Sequence, residues 1–542
     1  MTTKAQELKE EADKLFRQQR YFDSYLKYRE ASELDDKNPI LFSNRALCAL
    51  KLKHYLDAEC DSRVAIAFDP SYVKAYIRHG EANNALHRHW VSKAVWKEAL
   101  DALPTEKNLT PAELDLKKAI ERGSADTERQ DAAVKAQVEG RAENTKEFPV
   151  WRRVMAICKG KTTEEIGRLY PPNTSVCQIL TAYHTYVEVA ENVQHKLQSP
   201  DCRCEKYDSR CALTELTRVV MGEMRVLWDF DRAWPTKVET LLHFTNQAFD
   251  GWKDLKPDVR FQKSVKGHAA REGWDGARSA LSATIKCWIV HAIMLETSNP
   301  VSQAEYLSRA IKVLKWARSY SQLRGVLDHC ACCAEVYQTP FLLATQKLHL
   351  TAQIKTAADE TDGTKKNRVL EEILTEAEEV IKEGTIIATQ PREDNEVYLV
   401  AFCDIPLGAA FAAKGYYYWE TARKHPSRKD FEKYLKMSSE FYLKAVTFFP
   451  VDDEMRARYL NRAIECMMLY GAPLGVQLKK ADELREAVEK MKPVWGDGVV
   501  ACGKALQDVV AIMQNIKGLV DQGKLKASES YRCPNPGVNV VC

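Results

Sequence analysis

Small side chains return at one constant spacing along the first hundred positions, and this spacing predicts a repeat of two helices. Only Gly, Ala or Ser leaves room where two helix backbones cross closely, and proline ends a helix because it has no N–H to donate. A single helix pair cannot bury its apolar face, so three such repeats would stack into one array. The positions that recur are Ala12, Ala46 and Gly80; Ser24, Ala58 and Ser92; Ala31, Ala65 and Ala99; Asp36, Pro70 and Pro104 at the breaks; and, less uniformly, Tyr28, Ser62 and Trp96.

Apolar residues in the rest of the chain also recur at helical spacing. One predicted helix face carries Tyr306, Ala310, Leu314 and Ala317, and another carries Leu478, Ala481, Leu484, Val488 and Met491 before it ends at Pro493. Convincing runs of alternating residues joined by hairpin turns are missing from the sequence. We therefore expect an all-α protein: an N-terminal superhelix of repeats followed by a large helical solenoid or bundle.

A weaker echo of the repeat lies near the C-terminus. Gly415 with Tyr418, then Tyr442, Ala445 and Pro450, reproduces the internal steps of the N-terminal pattern. The gap between the two halves is longer than the gap within an N-terminal repeat, which predicts a longer loop between the two helices. The second part is therefore expected to contain degenerate helix pairs of the same kind.

The patterns divide the chain into four expected parts. Residues 1–120 hold the three repeats and a capping helix, whose start is marked by Thr110 as N-cap and a proline at the first helical position. Residues 121–147 are highly charged and are expected to form a linker or an exposed helix. Residues 148–527 form the second helical domain, and residues 528–542 form a flexible tail.

Composition narrows the class of protein. The chain has 542 residues, of which 45% are hydrophobic and 29% charged, with a net charge of +3. This balance is typical of a globular protein and gives no general attraction to nucleic acid. Sixteen cysteines, an N-terminus without an apolar signal segment, and apolar runs as short as KCWIVHAIML indicate a soluble protein with reduced thiols. We expect a cytoplasmic location, no membrane contact and no nucleic-acid partner; the oligomeric state stays open.

The stretch DAECDSRVAIAFDPSYVKAYIRHG (residues 57–80) resembles the junction between the second and third repeats of the tetratricopeptide-repeat (TPR) co-chaperones. The resemblance covers residues 5 to about 104, under a fifth of the chain. It implies curved stacks of helix pairs whose first helices line a groove. In that family the groove holds the carboxylates of a heat-shock protein tail ending Glu-Glu-Val-Asp.

The resemblance also implies which residues line this groove, known in the family as a carboxylate clamp. Lys9 stands at the family's first lysine, Asn44 at the asparagine of the second repeat, and Lys74 and Arg78 at the basic pair of the third. Lysine and arginine supply charge-assisted donors to carboxylate oxygens, and asparagine supplies neutral ones. The remaining position departs from the family, because Asp13 replaces its asparagine.

Asp13 leaves the identity of the ligand open. It lies four residues after Lys9, so the two side chains can pair on one helix face. A carboxylate beside an anionic ligand costs about 1–2 kcal/mol if only partly screened. We therefore expect an adaptor or co-chaperone that binds an acidic C-terminal peptide. The alternatives are a scaffold that takes a different peptide, and an ordinary solvated face with no groove function.

Motifs for catalysis, cofactors or metals are weak. KGKTTEE (159–165) lacks the first glycine of a phosphate-binding loop. The Cys202, Cys204 and Cys211 set with His195, and the His329, Cys330, Cys332 and Cys333 set, do not have standard zinc spacing. We expect no catalytic residue, no cofactor and no metal. A helical enzyme within residues 148–527, carrying no local signature, is the remaining alternative.

Overall fold

The computed structural model describes most of the chain, and every regular element in that part is helical. The described residues are 3–52, 54–86, 89–104, 109–144, 150–198, 206–224, 226, 238, 241–242, 245, 251–252, 259–295, 299–320, 323, 334–389, 396–425, 427–496 and 503–530. Within them the only β pairing is an isolated bridge between Pro473 and Ser530. The all-α prediction is confirmed.

The chain divides into two compact units, each built from several stretches of sequence. The first contains Met1–Asn144, Asp250–Thr284 and His291–Arg309, and the second contains Thr145–Phe249, Ile285–Val290 and Ala310–Cys542. The sequence-based division of the chain into four parts stays a prediction.

The repeats occupy the first six helices, followed by a long seventh. These are α1 (Thr3–Arg17), α2 (Tyr21–Leu34), α3 (Pro39–Lys51), α4 (Tyr55–Phe68), α5 (Val73–Ala85), α6 (His89–Asp101) and α7 (Pro111–Asn144). The odd-numbered helices α1, α3 and α5 are the first helices of the three pairs.

The recurring small residues lie where the paired helices cross. The Ser24 hydroxyl donates to the Ala12 carbonyl at 2.8 Å, and the Ser92 hydroxyl donates to the Gly80 carbonyl at 2.9 Å. A Cβ atom on Gly80 would lie only 2.6 Å from the ring of Trp96. The constant spacing is thus a packing requirement, since a larger side chain would force each pair apart.

Helix α7 joins the predicted capping helix and the charged segment into one element. Its start is a capping box, in which Thr110 and Glu113 bond each other's backbone N–H groups. Its buried face continues past Ile120 to Thr127, whose hydroxyl accepts a 2.9 Å bond from the Trp96 indole. The charged side chains that the structure describes in this segment lie outside this face, so the segment could not be placed from charge alone.

In the described part of the chain the further α-helices of seven or more residues are α8 (Val150–Cys158), α9 (Thr163–Leu169), α10 (Ser175–Gln198), α11 (Lys206–Gly222), α12 (Val259–Met294), α13 (Pro300–Ser319), α14 (Thr339–Asp359), α15 (Gly363–Ala388), α16 (Ile405–Lys424), α17 (Arg428–Val446), α18 (Glu454–Tyr470), α19 (Leu474–Trp495) and α20 (Gly503–Asp521). Helix α12 is kinked at Gly273, whose φ is +76°. A short helix (Glu396–Leu399) and a π-helical turn (Val400–Asp404) lead into α16.

The degenerate repeat echo corresponds to the packed pair α16 and α17. A Cβ atom on Gly415 would lie 3.0 Å from the ring of Tyr442, and the Ser438 hydroxyl donates to the Gly415 carbonyl at 2.8 Å. The glycine, the aromatic ring and the hydroxyl thus repeat the geometry of the third N-terminal pair. The prediction of TPR-like helices in the second part is confirmed here. The predicted longer loop is wrong, because the two helices are themselves longer than those of the first repeat and only residues 425–427 separate them.

One stretch of this unit, Glu396–Lys424, is long and apolar enough to cross a membrane by length and composition, with a mean hydropathy of 1.5. Of the 18-residue window that has this mean hydropathy, 61% is buried. The core helix of a globular protein has the same properties.

Candidate functional site

The five predicted ligand-binding residues lie on α1, α3 and α5, and we call the face that these helices share the groove. Lys9 and Asp13 belong to α1, Asn44 to α3, and Lys74 and Arg78 to α5. Each helix is the first of its pair, so the groove receives one helix from each repeat.

A chain of polar contacts begins at Asp13. One of its carboxylate oxygens lies 2.8 Å from the Lys9 ammonium, and the other accepts a hydrogen bond from the Tyr28 hydroxyl. Both ionic side chains are partly exposed, at 20% for Lys9 and 29% for Asp13. The charge of Asp13 is therefore met by two donors before any ligand arrives.

The series of polar contacts continues across the groove to α5. The Asn44 amide nitrogen donates to the Tyr28 oxygen at 3.4 Å, and the Asn44 carbonyl oxygen accepts from the Arg78 guanidinium at 3.4 Å. Arg78 also donates to the Ser43 hydroxyl. Four of the five predicted residues are thus joined through Tyr28 in one network, with their side chains held in place.

Lys74, the fifth predicted residue, is exposed one turn before Arg78. The repeat spacing also places Leu47 and Glu81 at positions equivalent to Asp13. Glu81 is exposed, yet surrounding protein raises the pKa of its carboxyl, while Arg78 and Lys51 oppose that rise. The groove therefore carries mixed charge, because α1 and α5 each carry both basic and acidic side chains.

Burial changes the pKa of two groups in this network, the Tyr28 hydroxyl and the Arg78 guanidinium. Removal from water raises the pKa of the Tyr28 hydroxyl far above its usual range, and the Asp13 carboxylate raises it further. Removal from water lowers the pKa of the Arg78 guanidinium below its usual range. Tyr28 consequently stays a hydrogen-bond donor at neutral pH, which fixes the direction of the network.

Sequence reasoning missed Tyr28 and Ser43 as members of the site. The sequence indicated only that Tyr28 shares one repeat position with Ser62 and Trp96, and packing was the obvious role for that position. Its hydroxyl reaches Asp13 fifteen residues away because the two helices cross at Ala12. A spacing pattern cannot report that contact.

Other candidate chemistry finds no support in the described part of the chain. No group of three or more His, Cys, Asp or Glu side chains there could hold a metal ion. Both cysteine-rich sets with their histidines lie outside the residues whose side chains the structure describes. At KGKTTEE, Thr162 and Glu165 form a capping box that starts the short helix α9.

The fold and the groove define the class: residues 3–101 form three tetratricopeptide repeats like those of TPR co-chaperones. No protein-family model matches the chain. Human RNA polymerase II-associated protein 3 is 36% identical over 107 residues, which make up 20% of this chain and 16% of that protein. Rat serine/threonine-protein phosphatase 5 is 29% identical over 136 residues, 24% of this chain and 27% of that protein.

One solved structure is similar over a comparable share of the chain. The second TPR domain of human RPAP3, in complex with the HSP70 peptide SGPTIEEVD, is 27% identical and covers 22% of this chain and 95% of that one, with a TM-score of 0.19. The chain spans less than a third of the length of either curated relative above.

Proposed function

We propose that the groove binds the acidic C-terminal peptide of a partner protein, of the kind that ends a heat-shock chaperone. The observation that carries the proposal is the contact between Asn44 and Arg78, which brings donors from the second and third repeats to one point of the groove. Lys74 stands exposed one turn away. Such a set suits two carboxylates close to each other, namely a chain terminus and an acidic side chain.

Asp13 is compatible with this ligand because its charge is already engaged. Lys9 and Tyr28 both donate to it, so a peptide carboxylate meets an ion pair instead of a bare anion. The arrangement leaves Lys9 less available than Lys74 and Arg78. Support for the ligand therefore rests on α3 and α5, and the affinity should be below that of a groove with a neutral residue at position 13.

In this proposal the protein is an adaptor in the cytoplasm, and residues 148–527 contact a second partner without catalysis. The similarity to phosphatase 5 covers 27% of that enzyme and 24% of this chain, so it leaves catalysis unsupported. A groove that takes a different peptide is the second candidate, favoured by the acids Asp13 and Glu81 at equivalent positions of the first and third repeats.

Calorimetric titration of the full chain tests the proposal. The probe is a short peptide ending Glu-Glu-Val-Asp, compared with the same peptide as its C-terminal amide. We expect saturable binding that amidation abolishes and that Lys74→Ala weakens about tenfold or more, since a hydrogen bond to a charged group is worth about 1.5–3 kcal/mol. Lys37→Ala is the matched control, because Lys37 is an exposed lysine in the loop before α3.

The outcomes separate the candidates. Equal binding of the amide and the free acid would contradict recognition of a chain terminus. A higher affinity for a lysine-containing peptide than for the acidic one would favour the second candidate.

A further inference from the structure

The second unit contains a helix crossing with the same hydrogen bonds as the first repeat. In the first repeat the Ser24 hydroxyl bonds the Ala12 carbonyl at 2.8 Å and lies 3.3 Å from the Cys48 sulfur of the next helix, α3. In the second unit the Ser438 hydroxyl bonds the Gly415 carbonyl at 2.8 Å and lies 3.5 Å from a cysteine sulfur of α18. That cysteine is Cys466, which fixes α18 as the counterpart of α3.

This correspondence assigns each position of α18 to a position of the groove. Four and eight positions before Cys466 stand Arg462 and Arg458, as Asn44 and Ile40 stand before Cys48. One repeat further along, the same two positions are Arg78 and Lys74. Helix α18 thus carries a basic pair where α5 carries its own.

The match extends to a third residue. Glu465, next to Cys466, takes the position of Glu81 in the third repeat. Its carboxylate accepts bonds from Arg462 at 3.0 Å and from the Asn461 amide nitrogen at 2.7 Å. Burial raises the pKa of the Glu465 carboxyl, and both neighbours oppose that rise. The order basic, basic, acidic along α5 is therefore repeated along α18.

A separate observation points to a missing ligand. Asn461 is 4% exposed, and its carbonyl oxygen is buried without a hydrogen-bond partner among the described residues. An orphaned buried acceptor costs about 1–3 kcal/mol unless a donor fills it. The backbone N–H of an extended peptide is such a donor, and Arg458 lies one turn away to receive a carboxylate.

We propose that Arg458, Asn461 and Arg462 form a second peptide-binding site, which takes an acidic peptide segment on the face of α18 equivalent to the groove. Arg458 and Arg462 bind the carboxylate, and the Asn461 oxygen accepts a backbone N–H of the ligand. Glu465 holds Arg462 and Asn461 in position. The choice of ligand class rests on the same chemistry as the proposed function, while the site itself is independent of the groove.

The test uses the full chain and the same acidic peptide, as free acid and as amide. In the Lys9→Ala/Lys74→Ala variant the groove is disabled, so residual binding reports on α18. We expect two peptide-binding sites per wild-type chain and one in this variant. Adding Arg458→Ala should weaken the residual site about tenfold or more, and Arg458→Lys should recover part of that loss.

Arg485→Ala on α19 is the matched control, because Arg485 is an exposed arginine paired with an acid one turn away. A single site that Lys9→Ala/Lys74→Ala abolishes would overturn the second site and leave the proposed function standing. A single site that Lys9→Ala/Lys74→Ala leaves intact and Arg458→Ala abolishes would support the second site and overturn the proposed function. Binding of the amide as tightly as the free acid at α18 would assign the site to side-chain carboxylates, and absence of any binding would overturn both proposals.

Discussion

The contact between Tyr28 and Asp13 makes a quantitative prediction about ligand binding. Tyr28 is 2% exposed, and its hydroxyl donates to the carboxylate that also pairs with Lys9. If Tyr28 serves to hold the charge of Asp13 away from a ligand, removing its hydroxyl should matter only while Asp13 is ionised. The perturbations are Asp13→Asn, Tyr28→Phe and the two together.

The magnitude follows from Coulomb's law. A ligand carboxylate about 6 Å from the Asp13 carboxylate, at an effective dielectric constant of about 40, is repelled by about 1.4 kcal/mol. Asp13→Asn removes that repulsion and releases Lys9, so affinity for the acidic peptide should rise about five- to thirtyfold. Tyr28→Phe removes one of two donors to Asp13, and affinity should fall about fivefold.

Titration calorimetry on all four full-length proteins gives the coupling directly. In the Asp13→Asn background, Tyr28→Phe should change the affinity by less than about twofold, because the charge that it screens is gone. An equal loss in both backgrounds would mean that Tyr28 acts only through packing, which refutes the reasoning. Thermal unfolding of each variant is the control for structure, and raising the salt concentration should shrink the effect of Asp13→Asn.

Three further predictions concern the fold. Gly80→Ala should lower the free energy of unfolding by about 1–3 kcal/mol through overpacking. The control is Gly518→Ala, whose added carbon would meet nothing within 4 Å and which should leave the free energy of unfolding unchanged or raise it by up to about 1 kcal/mol. Urea unfolding measures both. Asp61→Ala leaves Arg45 buried without the two bonds it makes at 2.5 and 2.7 Å, and should cost about 3–5 kcal/mol in the same assay. Because the pKa of the Glu81 carboxyl is raised in the folded protein, its contribution to stability is complete below the pKa it has in the unfolded chain and is lost as pH rises through the folded pKa. Glu81→Gln should therefore raise the melting temperature at pH 7 but not near pH 3. A constant difference in melting temperature across this range would contradict the prediction.

Contacts between residues near in sequence explain why so much of the fold could be predicted. The crossings at Gly80 and Gly415 each need a small residue on one helix and a ring on its partner, and both partners lie within one helix pair. The spacing between the glycine and its ring therefore records a contact. The pattern carries no information on α7, where Gly123 also faces the Trp96 ring but follows it in the sequence instead of preceding it.

The candidate site was predictable in its members and not in its connections. Lys9, Asn44, Lys74 and Arg78 could be recognised from the resemblance to the TPR co-chaperones, and their roles as ligand-binding residues stay predictions. The pairing of Lys9 with Asp13 followed from their spacing of four and is present at 2.8 Å. The link from Asp13 through Tyr28 to Asn44 depends on the angle between three helices, which no single spacing reports.

The surroundings of the repeats show the limit of periodic reasoning most clearly. Arg309 donates to Asp57 of α4 at 3.0 Å across 252 residues of sequence, and Asp57 also accepts a 3.1 Å bond from Tyr25 of α2. Burial lowers the pKa of the Arg309 guanidinium, but its acidic neighbours outweigh this effect and raise the pKa beyond its usual range. Asn299 likewise donates to the carbonyl of Ala85 at 3.0 Å. A repeat spacing detects only contacts that recur, and these occur once. Arg309 thus contacts α4, the second helix of its pair, while Asn299 contacts the C-terminal end of α5, one of the helices that line the groove. Ligand binding by the repeats is therefore best measured in the full chain, where Asp57 keeps its buried partner.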